Sequence, residues 1–93
     1  MKIVDIVVKS LGYSGDGSEV VGDVQFAVAN REGGTRTATI ACRCKVSQRV
    51  RHDALLIGEA IHLLRRRPEI RSGEDRLEFA RGLKPLSAGA KAA

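Results

Sequence analysis

Apolar and polar residues alternate along two neighbouring segments of the chain, 19–30 and 35–46. The first segment places Val24, Phe26 and Val28 on one face. The second segment also has one apolar face, which consists of Ala38, Ile40, Cys42, Cys44 and Val46. A period of two is typical of a half-buried strand. Between the segments, Glu32-Gly33-Gly34 supplies glycine for a positive φ, which predicts a hairpin with a three-residue loop and with Val28 opposite Ala38.

The hydrophobic period becomes helical directly after the hairpin. Ser47 suits an N-cap and Pro68 a stop, which predicts a helix over residues 48–66. Its apolar stripe consists of Val50, Ala54, Ile57, Ile61 and Leu64, flanked by Leu56, Ala60 and Leu63. This arc covers about half of the cylinder, which is wider than the stripe of an ordinary surface helix. We therefore expect a second helix, a partner subunit or both to lie against it.

The segments before the hairpin form a strand and a loop. Residues 2–9 predict a strand with Val4, Ile6 and Val8 on one face, and with Ile3 and Val7 on the other face beside Asp5. The glycine-rich segment 12–18 predicts a flexible surface loop, on which Tyr13 could contact a partner.

The segments after the long helix complete the predicted fold. Ser72-Gly73-Glu74-Asp75 resembles a capping box and predicts a short helix over residues 73–82. The fold class is therefore α+β, with a three-stranded antiparallel sheet followed by one long and one short helix. We expect a single domain over residues 1–85 and a flexible tail over residues 86–93.

The outer face of the predicted hairpin is unusually poor in charge. It carries the small residues Ala27, Ala29, Thr37, Thr39 and Ala41. Together with Ile3 and Val7, this face predicts packing against a second copy in a two-fold homodimer. A solvated face of small residues is the alternative.

Positive charge is concentrated in the helical half of the chain. Of the formal net charge of +5, residues 1–47 carry six Lys or Arg against five Asp or Glu, and residues 48–93 carry ten against six. Arginine outnumbers lysine eleven to five. Guanidinium groups suit phosphate and carboxylate recognition, although a compositional bias of the genome would give the same excess.

Seven basic residues are the candidates for an anionic partner: Arg43, Lys45, Arg49, Arg51, Arg65, Arg66 and Arg67. The alternative for the last three is a solvated helix end whose cations complement the macrodipole. We expect a non-enzymatic, self-associating module that binds an acidic protein or a phosphate-bearing partner. A DNA- or RNA-binding protein is the second hypothesis. A strand before two helices resembles the ribbon-helix-helix arrangement, although the preceding hairpin strand and the long first helix depart from it. The reading face would consist of Thr39, Ala41, Arg43 and Lys45.

Cys42 and Cys44 are the basis of a weaker third hypothesis, a thiol- or metal-using protein. A second ligand pair at zinc-binding spacing is missing, so the sequence predicts buried cysteines and no metal or cofactor. The helical wheel places Glu59 and His62 away from the cysteine-bearing face, and His52 toward solvent. No catalytic motif or paired carboxylate predicts an enzyme. The apolar runs are too short for a membrane span and resemble no signal peptide, which predicts a cytoplasmic protein.

Overall fold

A computed structural model describes residues 1–81 and confirms the α+β fold class. Its elements in chain order are β1 Lys2–Tyr13, β2 Glu19–Ala29, β3 Thr35–Lys45, α1 His52–Arg65, α2 Pro68–Arg71 and β4 Glu78–Phe79. The strands form one sheet in the order β3-β2-β1-β4, in which β1, β2 and β3 are antiparallel and β4 is parallel to β1. The predicted domain end at residue 85 and the predicted tail, 86–93, lie outside the described residues.

The core lies between one face of the sheet and α1. The strands contribute Ile3, Val20, Val24, Phe26, Val28 and Cys42, and α1 contributes Leu56, Ala60, Ile61 and Leu64. Gly22 occupies the same face of β2 as these buried valines. A Cβ atom at Gly22 would lie 2.9 Å from Leu56 Cδ1. Glycine is therefore the residue that lets α1 approach the sheet at this point.

The β2–β3 register differs from the predicted one by two residues. Val28 lies opposite Arg36, and Phe26 lies opposite Ala38. The reason is a longer loop, residues 30–34, in which Asn30 Oδ1 accepts hydrogen bonds from Glu32 N and Gly34 N at 3.0 and 2.9 Å. A shift of two keeps every side chain on its predicted face because the strand period is two. The expected positive φ is present at Gly33, at +89°.

A bulge in β1 makes the faces of this strand differ from the predicted ones. The pairing shifts between Ile3, which is opposite Val28, and Asp5, which is opposite Ala27. The extra residue turns Ile3 to the core, where it is fully buried, and leaves Val7 exposed. Ile3 therefore does not belong to the outer face, and the apolar area that we expected to promote association is smaller.

Helix α1 begins four residues later than predicted. Ser47 Oγ accepts a hydrogen bond from Arg49 N at 3.2 Å, so its hydroxyl stabilises a turn and not the helix end. Arg51 occupies the N-cap position without a side-chain cap hydrogen bond. Residues 46–51 are consequently a connection between β3 and α1 in which Gln48, Arg49 and Arg51 are exposed.

The predicted second helix over residues 73–82 is wrong in position. The short helix α2 instead begins at Pro68, whose fixed φ suits the first helical turn. Residues 78–80 extend along β1: Glu78 N donates to Met1 O and Ala80 N to Ile3 O, each at 2.8 Å. The edge of β1 offers backbone partners that a local sequence pattern does not reveal, and pairing with that edge replaces the helix.

Candidate anion-binding surface

Helix α1 divides the seven predicted basic residues into two groups. Arg43 and Lys45 end β3, and Arg49 and Arg51 lie in the connection to α1. Residues 65–67 lie at the other end of α1. Fourteen helical residues span about 21 Å, so the structure does not unite the two groups in one site. All seven side chains are exposed.

Internal carboxylates compensate part of this charge. Arg43 Nε lies 3.8 Å from a Glu19 carboxylate oxygen, and an Arg51 guanidinium nitrogen lies 2.6 Å from Asp53 Oδ2. At the other end of α1, Arg67 is 3.9 Å from a Glu69 oxygen. Lys45, Arg49, Arg65 and Arg66 have no carboxylate within 4 Å in residues 1–81.

A shallow hollow of about 490 Å³ lies beside the group at the start of α1. Its lining includes Leu11, Tyr13, Arg49, Arg51 and His52. Leu11 and Tyr13 are 41% and 52% exposed. The Tyr13 hydroxyl is 2.6 Å from His52 Nδ1, and the two rings meet edge to face with centroids 5.4 Å apart. An exposed aromatic and aliphatic wall therefore adjoins two guanidinium groups.

No local pattern in the sequence predicts this hollow. Tyr13 and His52 are 39 residues apart, and the predicted helix start at residue 48 would have placed Arg49 and Arg51 within α1. The expected exposure of Tyr13 is confirmed. His52, which we expected on the solvent side, is half-buried beside Tyr13.

The turn that follows Tyr13 is held by one carboxylate. Asp16 Oδ1 accepts hydrogen bonds from Ser18 N, Ser18 Oγ and Ser14 Oγ at 3.0, 2.7 and 2.8 Å. The hydrogen bond from Ser18 N is the largest of the effects that lower the pKa of Asp16 to about 2. The predicted loop over residues 12–18 is shorter in the structure, because Gly12 and Tyr13 pair with β2 as the end of β1. An internal hydrogen-bond network fixes the turn that follows Tyr13.

The opposite end of α1 is a poorer place for an anion. A hollow of about 760 Å³ lies beyond α2, and none of residues 65–67 lines it. Its lining mixes the carboxylates of Glu69, Glu74, Asp75 and Glu78 with the cations of Lys2, Arg31 and Arg36. The pKa of Asp75 is lowered, chiefly because its side chain accepts a hydrogen bond from the Met1 amino group. Of these carboxylates, only Glu69 lies within 4 Å of the arginines at this end of α1, at 3.9 Å from Arg67. The group at the start of α1 is the better candidate site because two of its arginines line a hollow beside an exposed apolar wall.

The two cysteines face α1 as free thiols. Cys42 is buried, and the half-buried Cys44 Sγ donates to Leu55 O at 3.4 Å. Burial, followed by the charges of Cys44 and Glu59, raises the pKa of Cys42 to about 11. The charge of Glu59 also contributes to the raised pKa of Cys44, after the larger effect of burial. No group of three or more potential metal ligands occurs among residues 1–81.

Comparisons with known proteins give no indication of the function. No protein-family model matches the chain, and no curated protein or solved structure shows significant similarity to it. Among the helices of residues 1–81, none has the length and apolar character needed to cross a bilayer.

Proposed function

We propose that this protein is a small non-enzymatic interaction module that self-associates and binds an acidic or phosphate-bearing partner. The observation that carries the proposal is the hollow at the start of α1, where Arg49 and Arg51 stand beside Leu11 and Tyr13. Guanidinium groups form paired hydrogen bonds with carboxylates and phosphates. The adjoining apolar wall would supply contact area beyond the charge contact.

The charge balance around the hollow supports binding of an anion from outside. Lys45 and Arg49 have no internal carboxylate within 4 Å in the described part of the chain, so an incoming anion displaces no partner from them. The ion pairs of Arg43 and Arg51 are exposed, and such pairs contribute only about 0–1 kcal/mol. Both arginines can therefore exchange their internal carboxylate for a phosphate at little cost.

Residues 65–67 would be a second, weaker contact region. Arg65 and Arg66 are exposed at the end of α1. The Glu69 carboxylate, 3.9 Å from Arg67, reduces the attraction of this end of α1 for an anion. We expect these arginines to add long-range attraction and not to form the main contact.

Self-association is supported by the outer sheet face. Thr37, Thr39 and Ala41 are exposed there, and Val7 is 42% exposed. These side chains are small or apolar and lack charge, which suits contact between copies. The burial of Ile3 makes this face less apolar than the sequence predicted.

Nucleic-acid binding is the second candidate function. Arg43 and Lys45 lie on the exposed face of β3 and lead directly into Arg49 and Arg51. A row of cations of this kind suits contacts with successive phosphates of a backbone. The binding would tolerate any sequence and would weaken steeply with salt.

Fluorescence anisotropy with two labelled probes, polyglutamate and a duplex of generic sequence, tests both candidates over a range of salt concentrations. The informative variant is Lys45→Gln/Arg49→Gln, because neither side chain has an internal ion pair whose loss would disturb folding. The matched control is Arg31→Gln/Arg76→Gln, which removes the same charge elsewhere on the surface.

Both variants lose two positive charges and should share a small, general loss of affinity. The proposal predicts a further loss of affinity for Lys45→Gln/Arg49→Gln and none for the control. For the duplex, loss of two phosphate contacts should reduce the slope of log affinity against log salt by about 2. Preference for polyglutamate supports the acidic-protein partner, and preference for the duplex supports nucleic acid. Absence of binding to both probes at low salt would refute the anion-binding function.

A further inference from the structure

The longest strand edge without a partner in residues 1–81 belongs to β3. The sheet order places β3 at one side, paired with β2 alone. Edge strands of soluble proteins are usually protected by a proline, a bulge or a central charge. The middle of β3, residues 37–42, has none of these: it reads Thr-Ala-Thr-Ile-Ala-Cys, and its register with β2 is regular throughout.

The direction of the backbone groups follows from the hydrogen bonds at both ends of the hairpin. Val46 N donates to Ser18 O, and Asn30 N donates to Gly34 O, each at 3.0 Å. Both pairs join even-numbered residues, and the register between them is continuous. The even-numbered residues of β3 therefore bond to β2, and the odd-numbered ones direct N–H and C=O away from the sheet. The odd-numbered set is Thr35, Thr37, Thr39, Ala41, Arg43 and Lys45, all exposed.

We propose that β3 pairs antiparallel with β3 of a second copy, with the two-fold axis at Ile40. This inference rests on the self-association included in the proposed function, but it assigns the contact to the edge of β3 and not to the outer sheet face. Ile40 is the midpoint of Thr35–Lys45, so this register uses the whole strand and forms about twelve backbone hydrogen bonds between the odd-numbered residues. The sheets of the two copies become continuous.

The positions of the basic residues favour the antiparallel pairing of the two β3 strands over a parallel pairing. In the antiparallel register, Arg36 faces Cys44, Arg43 faces Thr37 and Lys45 faces Thr35. No basic residue faces another. A parallel arrangement in register would place each of these cations opposite its own copy, and like charges in directly opposite positions are destabilising.

The core-side face of β3 is also self-complementary in this register. Ile40 would contact Ile40 of the second copy, and Ala38 would lie opposite Cys42. Ala38 and Ile40 are only half-buried beneath α1, so the pairing would cover apolar surface that remains open in one copy. Side-chain pairs in directly opposite positions of neighbouring strands are the contacts that stabilise a sheet.

The chain's own C-terminal segment is a poorer occupant of this edge. Residues 83–93 contain Pro85 and no β-branched or aromatic residue. Proline, alanine, glycine and lysine are depleted in strands. A second copy of β3, which is rich in threonine and contains isoleucine, fits better.

Solution mass and one cross-linking pair test the proposal. The chain has a mass of 10.0 kDa, so we expect a dimer of about twice that mass in sedimentation. The background for cross-linking is Cys42→Ala/Cys44→Ala, provided that it keeps the oligomeric state of the wild-type protein. In this background, Ile40→Cys should form a disulfide-linked dimer on mild oxidation. Facing residues of this non-hydrogen-bonded kind have Cα atoms about 4.5 Å apart, within the range that disulfides span. Thr39→Cys is the matched control, because Thr39 would face Ala41 and should cross-link much less.

Thr39→Pro tests the backbone contact directly. It removes an N–H group that points away from β2, so the hairpin keeps its own hydrogen bonds while the edge loses a donor. We expect this variant to be monomeric with an unchanged circular dichroism spectrum. If the variant unfolds, the cross-linking pair alone decides.

Four results would overturn the inference. A dimer that persists in folded Thr39→Pro, or stronger cross-linking of Thr39→Cys than of Ile40→Cys, would refute this edge and register but leave self-association intact. A monomer at all concentrations would refute both edge pairing and self-association. Monomeric mass of the full chain together with a dimer after removal of residues 83–93 would identify that segment as the occupant. The anisotropy measurements above judge anion binding separately in every case.

Discussion

Substitution of Gly22 by alanine should report how closely α1 packs on the sheet. The added Cβ would lie 2.9 Å from Leu56 Cδ1, 3.3 Å from Lys9 O and 3.4 Å from Leu11 Cα. Leu56 is fully buried, so its methyl group cannot swing into solvent. An extra methylene-sized group in a packed core costs about 1–3 kcal/mol. We expect Gly22→Ala to lower the free energy of unfolding by about this amount.

Urea unfolding measures the effect. With a slope of about 1–3 kcal/mol per molar urea, a loss of 2 kcal/mol lowers the midpoint by about 1–2 M. Gly12→Ala is the control, since a Cβ at Gly12 in β1 would meet no atom within 4 Å. That variant should change the stability by less than about 0.5 kcal/mol.

A double-mutant cycle identifies the cause. Leu56→Ala alone should cost about 2–5 kcal/mol, because it leaves a cavity. In that background the 2.9 Å contact is absent, and Gly22→Ala should become nearly neutral or slightly stabilising, since alanine reduces the entropy of the unfolded chain. The coupling between the two sites should therefore be about 1–3 kcal/mol. Equal costs of Gly22→Ala in both backgrounds would refute the close approach of Leu56 as the cause.

Two further predictions follow from the shifted pKa values. The pKa of Cys42 is raised to about 11 and that of Cys44 is also raised, so both thiols are protonated at pH 8. Iodoacetamide should therefore modify the folded protein far more slowly than protein unfolded in urea. Equal rates would contradict the burial of the thiols. Asp16 has a pKa lowered from 3.8 to about 2, so its carboxylate stabilises the turn above pH 3.8 and this contribution disappears as the pH falls through about 2. Carboxyl chemical shifts should titrate near pH 2 for Asp16, and a midpoint near 3.8 would refute the hydrogen bonds from Ser14 and Ser18.

Local hydrophobic patterns determined the fold class, because they are insensitive to small errors of register. The hairpin register was wrong by two residues, yet Phe26 and Val28 are buried as expected, since a strand repeats every two residues. The same reasoning failed for Ile3, because a bulge adds one residue and reverses the face. A bulge depends on how two strands pair, and a single-strand pattern does not contain that information.

Non-local contacts account for the other differences. The segment around Glu78 has a local capping signal, but the edge of β1 supplies better backbone partners. The basic residues of the candidate surface were visible in the sequence as charge. Their division into two groups followed only from the bounds of α1, and the hollow depends on the contact between Tyr13 and His52.

The proposed dimer would bear on the choice between an acidic protein and a nucleic acid as partner, because it fixes the distance between two basic groups. Antiparallel pairing about Ile40 places Lys45 of one copy opposite Thr35 of the other, so the two Lys45 residues lie ten strand residues apart, about 34 Å. Half-sites on one side of a B-form duplex repeat at about 34–36 Å. Both basic groups could then contact one duplex, and the second contact would profit from a high effective concentration. We therefore expect a duplex longer than one turn to bind the wild-type protein more tightly than a half-turn duplex, and this difference should vanish in monomeric Thr39→Pro. If it persists there, the spacing of the two basic groups plays no part in nucleic-acid binding.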